Sequence, residues 1–184
     1  MPVYDLAILG AGWALWVAPF FLLKRSHPSS APATVDRRAR WGIGLQMLAF
    51  SAVWFAPFSM GAPAAWRVAF AVVFFAAGDV LTWTATRALG KQWRIDAGLS
   101  DDHELVRSGP YRIVRHPIYA AMWCSLLGTG LLLTPLARLA LAVPIFALGI
   151  EIRVRIEDAL LVSRFGEKAR EYQRSVPAYL PLVR

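Results

Sequence analysis

The chain has 184 residues, 57% of them hydrophobic and only 17% charged, with a mean hydropathy of +0.46. A soluble domain is about 45–50% apolar and about 25% charged, so this composition excludes an ordinary soluble enzyme, and the length leaves no room for a soluble catalytic domain beside a multi-span bundle. The net charge of +8 fits either a nucleic-acid partner or a charge bias that orients a membrane protein, and the lone Cys124 excludes intrachain disulfides and cysteine-based metal sites.

In chain order, the first predicted span is about 3–23. It lacks a basic leader and is followed by Lys24 and Arg25, so it reads as a retained span rather than a cleaved signal. A basic connection, "SHPSSAPAT" then "DRRAR", leads to a second span over 41–60, and "GAPAA" turns the chain into a third over 66–89. A polar segment fills 90–117. The fourth span is 118–134, the Thr134-Pro135 step turns, and the fifth span is 136–152. A separate amphipathic helix is predicted over 153–173. The expected fold is therefore an all-α integral membrane bundle of about five transmembrane helices with a C-terminal cytoplasmic amphipathic helix. It is one domain over 1–184, with three N-terminal spans in 1–88 and a binding and catalytic region in 89–181.

All but Arg67 and Arg138 of the 20 Lys and Arg residues fall in the first loop, the third loop or the tail. The positive-inside rule then places the N-terminus outside and the long loop and tail in the cytoplasm. Topology thus accounts for the basic balance, and nucleic-acid binding loses its support. No repeat, Walker loop or GxGxxG fingerprint is present. His27, His103 and His116 lack metal-ligand spacing, so no metal is expected. The eight tryptophans lie mostly near proposed span ends, as an aromatic belt does.

Two polar blocks lie on the cytoplasmic face, at 89–119 and 151–172. Arg153 and Glu157 are four apart and share a helix face, and Asp158 makes an acidic pair with Glu157. Their spacing suits either an intrahelical ion pair or a site for a zwitterion. In the first block His116 and Pro117 read as a helix start, whose free N–H groups favour a carboxylate. Tyr111 and Tyr119 accompany them. Asp79, inside the third span, either pairs structurally or lines the site.

Three stretches, "LGKQWR", "DHELVRSGPYRIVRHPIYAA" and "RIEDALLVSRFGEKAREYQRSVPAYLP", resemble the isoprenylcysteine carboxyl methyltransferase family and, more distantly, the phospholipid N-methyltransferases. The motif GxYxxxRHPxY is followed, after a helical hairpin, by Arg-x-x-x-Glu-acid and FGxxxxxY, in that order. The resemblance runs over 89–181, about half the chain. It implies a membrane methyltransferase using S-adenosylmethionine, releasing S-adenosylhomocysteine, with a lipophilic acceptor entering from the bilayer. It also implies a cofactor shell of Asp96, His103, Glu104, Leu105, Val106, Tyr111, His116, Pro117, Ile118, Tyr119 and Glu157. Arg153 resembles the substrate-side arginine, and Arg115 is a second candidate for carboxylate contact; Arg153, Glu157 and Arg115 are the expected catalytic set. The family's second acid is Asp158 here, the tyrosine after FG is Ala169, and a basic residue near the end is Ala178. The expected acceptor is the carboxylate of an isoprenylated cysteine-like thioether. N-methylation of an aminolipid, a sterol-type reductase and an inactive interaction protein are the alternatives.

Overall fold

Inside a bilayer the backbone cannot hydrogen-bond to water, so long apolar runs satisfy themselves as helices. The computed structural model describes residues 3–26, 34–55, 62–92, 97–99 and 103–179, and the elements among them are helical apart from one two-stranded pair. They are α1 (Val3–Ser26), β1 (Thr34–Val35), α2 (Ala39–Trp54), α3 (Ala65–Leu89), β2 (Gly98–Leu99), α4 (Pro117–Leu133), α5 (Leu136–Phe165) and α6 (Glu167–Ser175), with 3₁₀ turns at Gly90–Gln92 and Gly109–Arg112. α1 over Val3–Leu22 and α3 over Ala65–Leu89 are long and apolar enough to cross a membrane, and α4 is a shorter apolar helix.

α3 packs against α1 and α4, α2 packs against α5, and α4 touches both groups. Phe146, Leu126, Ile150 and Val53 are fully buried where these helices meet. The outward faces stay apolar: Phe21, Val73, Val80 and Leu141 are 62–69% exposed, or close to it. Such a skin suits hydrocarbon rather than water. Arg67 is buried near the start of α3, where its Nη2 donates to Thr134 O at 2.5 Å and Gly130 O at 3.3 Å. It thereby ties the start of α3 to backbone carbonyls at the end of α4.

The structure differs from the sequence expectations in two places. The separate amphipathic helix over 153–173 does not form. α5 continues for 30 residues to Phe165, because no glycine or proline interrupts it after the predicted span end at 152. The break comes at Gly166, whose φ of 56° lies in the left-handed region that glycine adopts without strain, and the short α6 follows. Second, Thr34–Val35 pairs antiparallel with Gly98–Leu99, joining two loops that look independent in sequence. The tryptophans divide, as an expectation for most of them allows. Trp41 and Trp66 are exposed in the first turns of α2 and α3, but Trp13 donates to Thr129 Oγ1 at 3.0 Å and Trp123 packs on Phe146 at 4.9 Å. The remainder of the second predicted span, 56–60, lies outside the described residues.

The α2–α5 contact depends on two glycines. A Cβ on Gly42 would sit 2.6 Å from Arg153 Cγ and 2.6 Å from Gly149 O, and one on Gly149 would sit 2.8 Å from Gly42 O. Gly42→Ala is therefore expected to force the helices apart and cost about 1–3 kcal/mol. Gly44, with nothing within 4 Å of its Cβ position, is the control. Gly44→Ala should stabilise by up to about 1 kcal/mol through helix propensity. Thermal melting of both variants in one detergent checks this; equal midpoints would contradict the close-packing account.

Candidate functional site

The site is assembled at the start of α4. Pro117 occupies the first helical position, where its missing N–H costs nothing, and His116 is the residue before it. The backbone N–H groups of Arg115 and His116 donate to Pro177 O at 2.9 Å and Ala178 O at 2.7 Å. Tyr119 N and Ala120 N donate to His116 O. The free N–H groups expected to receive a carboxylate at this helix start are thus largely taken by the tail and by the helix itself. The tail segment 176–179 lies across the site like a strap, and α6 is fixed beside it by the Tyr172 hydroxyl, which donates to Tyr111 O at 2.6 Å.

Behind the strap, α4 and α5 bring the two polar sequence blocks together. His116 lies between two acids, with Nε2 3.0 Å from Asp158 Oδ1 and Nδ1 3.4 Å from Glu157 Oε2. Arg153 donates through Nε to the Tyr119 hydroxyl at 2.6 Å and through Nη2 to Glu157 Oε1 at 3.1 Å. The Tyr119 hydroxyl donates in turn to Glu157. Arg115 donates from Nη2 to Asp158 Oδ2 at 2.7 Å and from Nη1 to Gln173 O at 2.9 Å and to Val176 O. Glu157 therefore accepts from three side chains, and Asp158 links His116 to Arg115 and the tail.

The charges follow from this geometry. Burial alone would drive His116 neutral, but hydrogen bonds and charge from Asp158 and Glu157 outweigh it and raise its pKa to about 9. Burial opposes ionisation of Glu157 and Asp158 too, yet His116 first, then Arg153 and Tyr119 for Glu157 and Arg115 for Asp158, hold both below the usual carboxylate range. At neutral pH the cluster is an imidazolium, two carboxylates and two guanidiniums. Burial holds Tyr111 well above the usual phenol range, so it stays a neutral phenol.

A cavity of about 460 Å³ opens beside this network, within the size range of small-molecule sites. Among the expected cofactor residues His103, Glu104, Leu105, Val106, Tyr111, His116, Ile118, Tyr119 and Glu157 line it, as do Arg115 and Arg153. Pro117 is buried in the helix start and does not line it, and Asp96 lies outside the described residues. Asp79 does not line it either; its Oδ1 has no partner among the described residues. Arg115 reaches the cavity wall; its two Nη groups are used on Asp158 and the tail, and its Nε has no hydrogen-bond partner among the described residues.

Sequence reasoning missed the other wall. Trp16, Phe20 and Phe21 of α1, Ile43, Gln46 and Met47 of α2, and Leu160 and Leu161 of α5 line the same space, with Gln92 and Tyr172. α1 and α2 meet at Trp13, whose ring lies 5.4 Å from Phe50 and 6.0 Å from Trp54, and the cavity separates them further along. Phe21 and Met47 belong both to the cavity wall and to the exposed apolar skin. Most of these residues are ordinary apolar span residues and carry no signal in sequence. Gln46 does carry one, as an amide inside an apolar run.

The fold and site define a class: a bundle of apolar helices with a charged pocket and an apolar wall beside it. Residues 66–168 match the model of the family described as phospholipid methyltransferase, and the chain belongs to that family. The chain is similar to the cobalt-zinc-cadmium resistance protein CzcN of Cupriavidus metallidurans, 41% identical over 80 residues, covering 44% of this chain and 37% of that one. It is 31% identical over 121 residues to protein-S-isoprenylcysteine O-methyltransferase B of Arabidopsis thaliana, covering 64% of this chain and 61% of that one. The protein-S-isoprenylcysteine O-methyltransferase of Schizosaccharomyces pombe is 31% identical over 115 residues, covering 61% and 49%. The chain thus spans less than two thirds of the length of each of these relatives.

Proposed function

We propose that this chain is an integral membrane methyltransferase that uses S-adenosylmethionine to methylate the carboxylate of a lipophilic, isoprenylated cysteine-like acceptor. The observation that carries the reading is one cavity with two kinds of wall. Its polar end draws on three separated stretches, 103–106, 111–119 and 153–157, and its apolar side faces α1 and α2. The family match supports the reaction class.

The donor set fits the cofactor. Glu104 and Glu157 suit an ammonium, Leu105, Val106 and Leu161 suit the faces of an adenine, and the Tyr111 hydroxyl can donate to a carboxylate. When bound, S-adenosylmethionine supplies an activated methyl on a sulfonium. The chain's own work is alignment and exclusion of water, with the tail strap closing the polar end. Arg153 orients the acceptor while Tyr119 and Glu157 fix its guanidinium plane.

The charge state favours a carboxylate acceptor over an amine. A carboxylate arrives ionised, whereas an amine has to lose a proton. His116 already holds its proton up to about pH 9, and Glu157 is held below the usual carboxylate range, so neither makes an effective base at neutral pH. The second reading, N-methylation of an aminolipid, draws on the name of the matched family and on the acidic pair Glu157–Asp158.

The same reading takes the whole chain as one domain, with five spans, the N-terminus outside and the polar cavity on the cytoplasmic side. Purified protein in detergent should bind S-adenosylhomocysteine and not NADPH, and should transfer labelled methyl to a lipophilic carboxylate. Preferential binding of NADPH would move the chain to the reductase alternative. Label appearing in a lipid amine would select the second reading.

A further inference from the structure

We infer that Gln46 is a specificity-determining residue for the methyl acceptor, its side-chain amide donating a hydrogen bond to an oxygen of the acceptor's headgroup. The inference rests on the function proposed above and extends it to a residue outside the motif region. Gln46 lies in the apolar helix α2, is 2% exposed, and lines the cavity. Its Nε2 has no hydrogen-bond partner among the described residues. A buried amide donor left unpaired is costly, and in a lipid-facing bundle polar side chains are kept for a use.

Position indicates what the partner is. Gly42 and Gln46 are one turn apart on α2, and Gly149 and Arg153 are one turn apart on α5. The Gly42–Gly149 approach sets the α2 backbone against Arg153 Cγ, and a Cβ on Gly149 would lie 3.1 Å from Gln46 N. The amide of Gln46 and the guanidinium of Arg153 therefore border one stretch of cavity from two helices. Both are donors, so the group they share is an acceptor, and the cation makes it an anionic oxygen. Ile43, Met47 and Met122 line the same cavity and suit the hydrocarbon attached to that headgroup. Arg153 would hold the charge, and Gln46 would distinguish an oxygen-bearing headgroup from an analogue without one.

The test uses the full chain in detergent, as wild type, Gln46→Leu and Gln46→Glu. Calorimetry measures binding of S-adenosylhomocysteine, then of N-acetyl-S-farnesylcysteine as the anionic probe and farnesol as the probe lacking the carboxylate. Gln46→Leu is expected to bind S-adenosylhomocysteine within about 2-fold of wild type, N-acetyl-S-farnesylcysteine about 10- to 100-fold more weakly, and farnesol almost unchanged. Gln46→Glu, nearly isosteric, should weaken the anionic probe further, and it carries the test if the leucine variant does not fold. Unchanged binding of the anionic probe by both variants would overturn the assignment. So would an equal loss for farnesol, which would mean packing alone, or tighter anionic binding by Gln46→Glu. Wild type that binds the anionic probe in a Gln46-dependent way but no S-adenosylhomocysteine would sink the methyl-donor reading and leave Gln46 standing. Wild type that binds neither probe nor S-adenosylhomocysteine overturns both.

Discussion

Arg153→Ala is expected to reduce methyl transfer to a lipophilic carboxylate by about 10²–10³-fold, the range seen when a preorganised charge-stabilising donor is removed. Arg153 is 7% exposed, and its guanidinium is fixed by Tyr119 at 2.6 Å and Glu157 at 3.1 Å. It also lies 5.5 Å above the Tyr119 ring. A flexible lysine cannot reproduce that plane, so Arg153→Lys should recover only a small part of the rate. Binding of S-adenosylhomocysteine should change by less than about 3-fold, because Glu157 keeps His116 and Tyr119 as partners. Single-turnover transfer of labelled methyl, with cofactor binding measured alongside, checks both halves. A variant that turns over normally would remove Arg153 from the acceptor side. One that loses cofactor and acceptor together would make it a structural residue.

His116→Gln is expected to be the most destabilising change at the site, costing about 3–5 kcal/mol. Among the described residues the imidazolium is the one side chain shared by Glu157 and Asp158, and a neutral amide leaves the buried Asp158 and the half-buried Glu157 facing each other with less compensation. A rise from the ordinary 6.5 to about 9 corresponds to on the order of 3 kcal/mol, in line with that figure. The pH dependence follows from the same shift. Because the folded-state pKa is raised, this stabilisation is complete below about pH 6.5 and is lost as pH rises through about 9. Glu157 and Asp158 are held low, so their contribution is present above the ordinary carboxylate range and is lost as pH falls through their depressed values. Wild type should therefore melt highest in mildly acidic buffer and lose stability toward pH 9. His116→Gln should melt about 10 °C lower at pH 6.5 and lose the alkaline decline. Parallel wild-type and variant melting curves across this range would rule out a buried imidazolium.

The two polar blocks were visible in sequence because their spacing is local. Arg153 and Glu157 are one turn apart on any helix, and the pair forms as that spacing requires. His116-Pro117 likewise stands at a helix start, because proline is favoured in a first helical turn. What the helix start binds was not visible. Its N–H groups face Pro177 and Ala178, about sixty residues away, and nothing in the spacing of either segment announces the other. The continuation of α5 past its apolar stretch was missed for a related reason. Leaving a membrane is a change of solvent, whereas ending a helix needs a backbone device, and that device is Gly166.

The sequence by itself determined that the chain folds into apolar helices and that most of its cations lie in three stretches outside the apolar runs. Run length, loop charge and one-turn spacing are properties of neighbouring residues, so they survive without a fold. Only the tertiary structure decided that α1 and α2 supply part of the cavity wall, that Arg115 ties Asp158 and the tail together, and that Gln46 borders the same space as Arg153. Those outcomes rest on the Gly42–Gly149 approach and on the strap across α4. Both are contacts between distant segments, where the hydrocarbon pattern that makes each helix is silent about which helix it will meet.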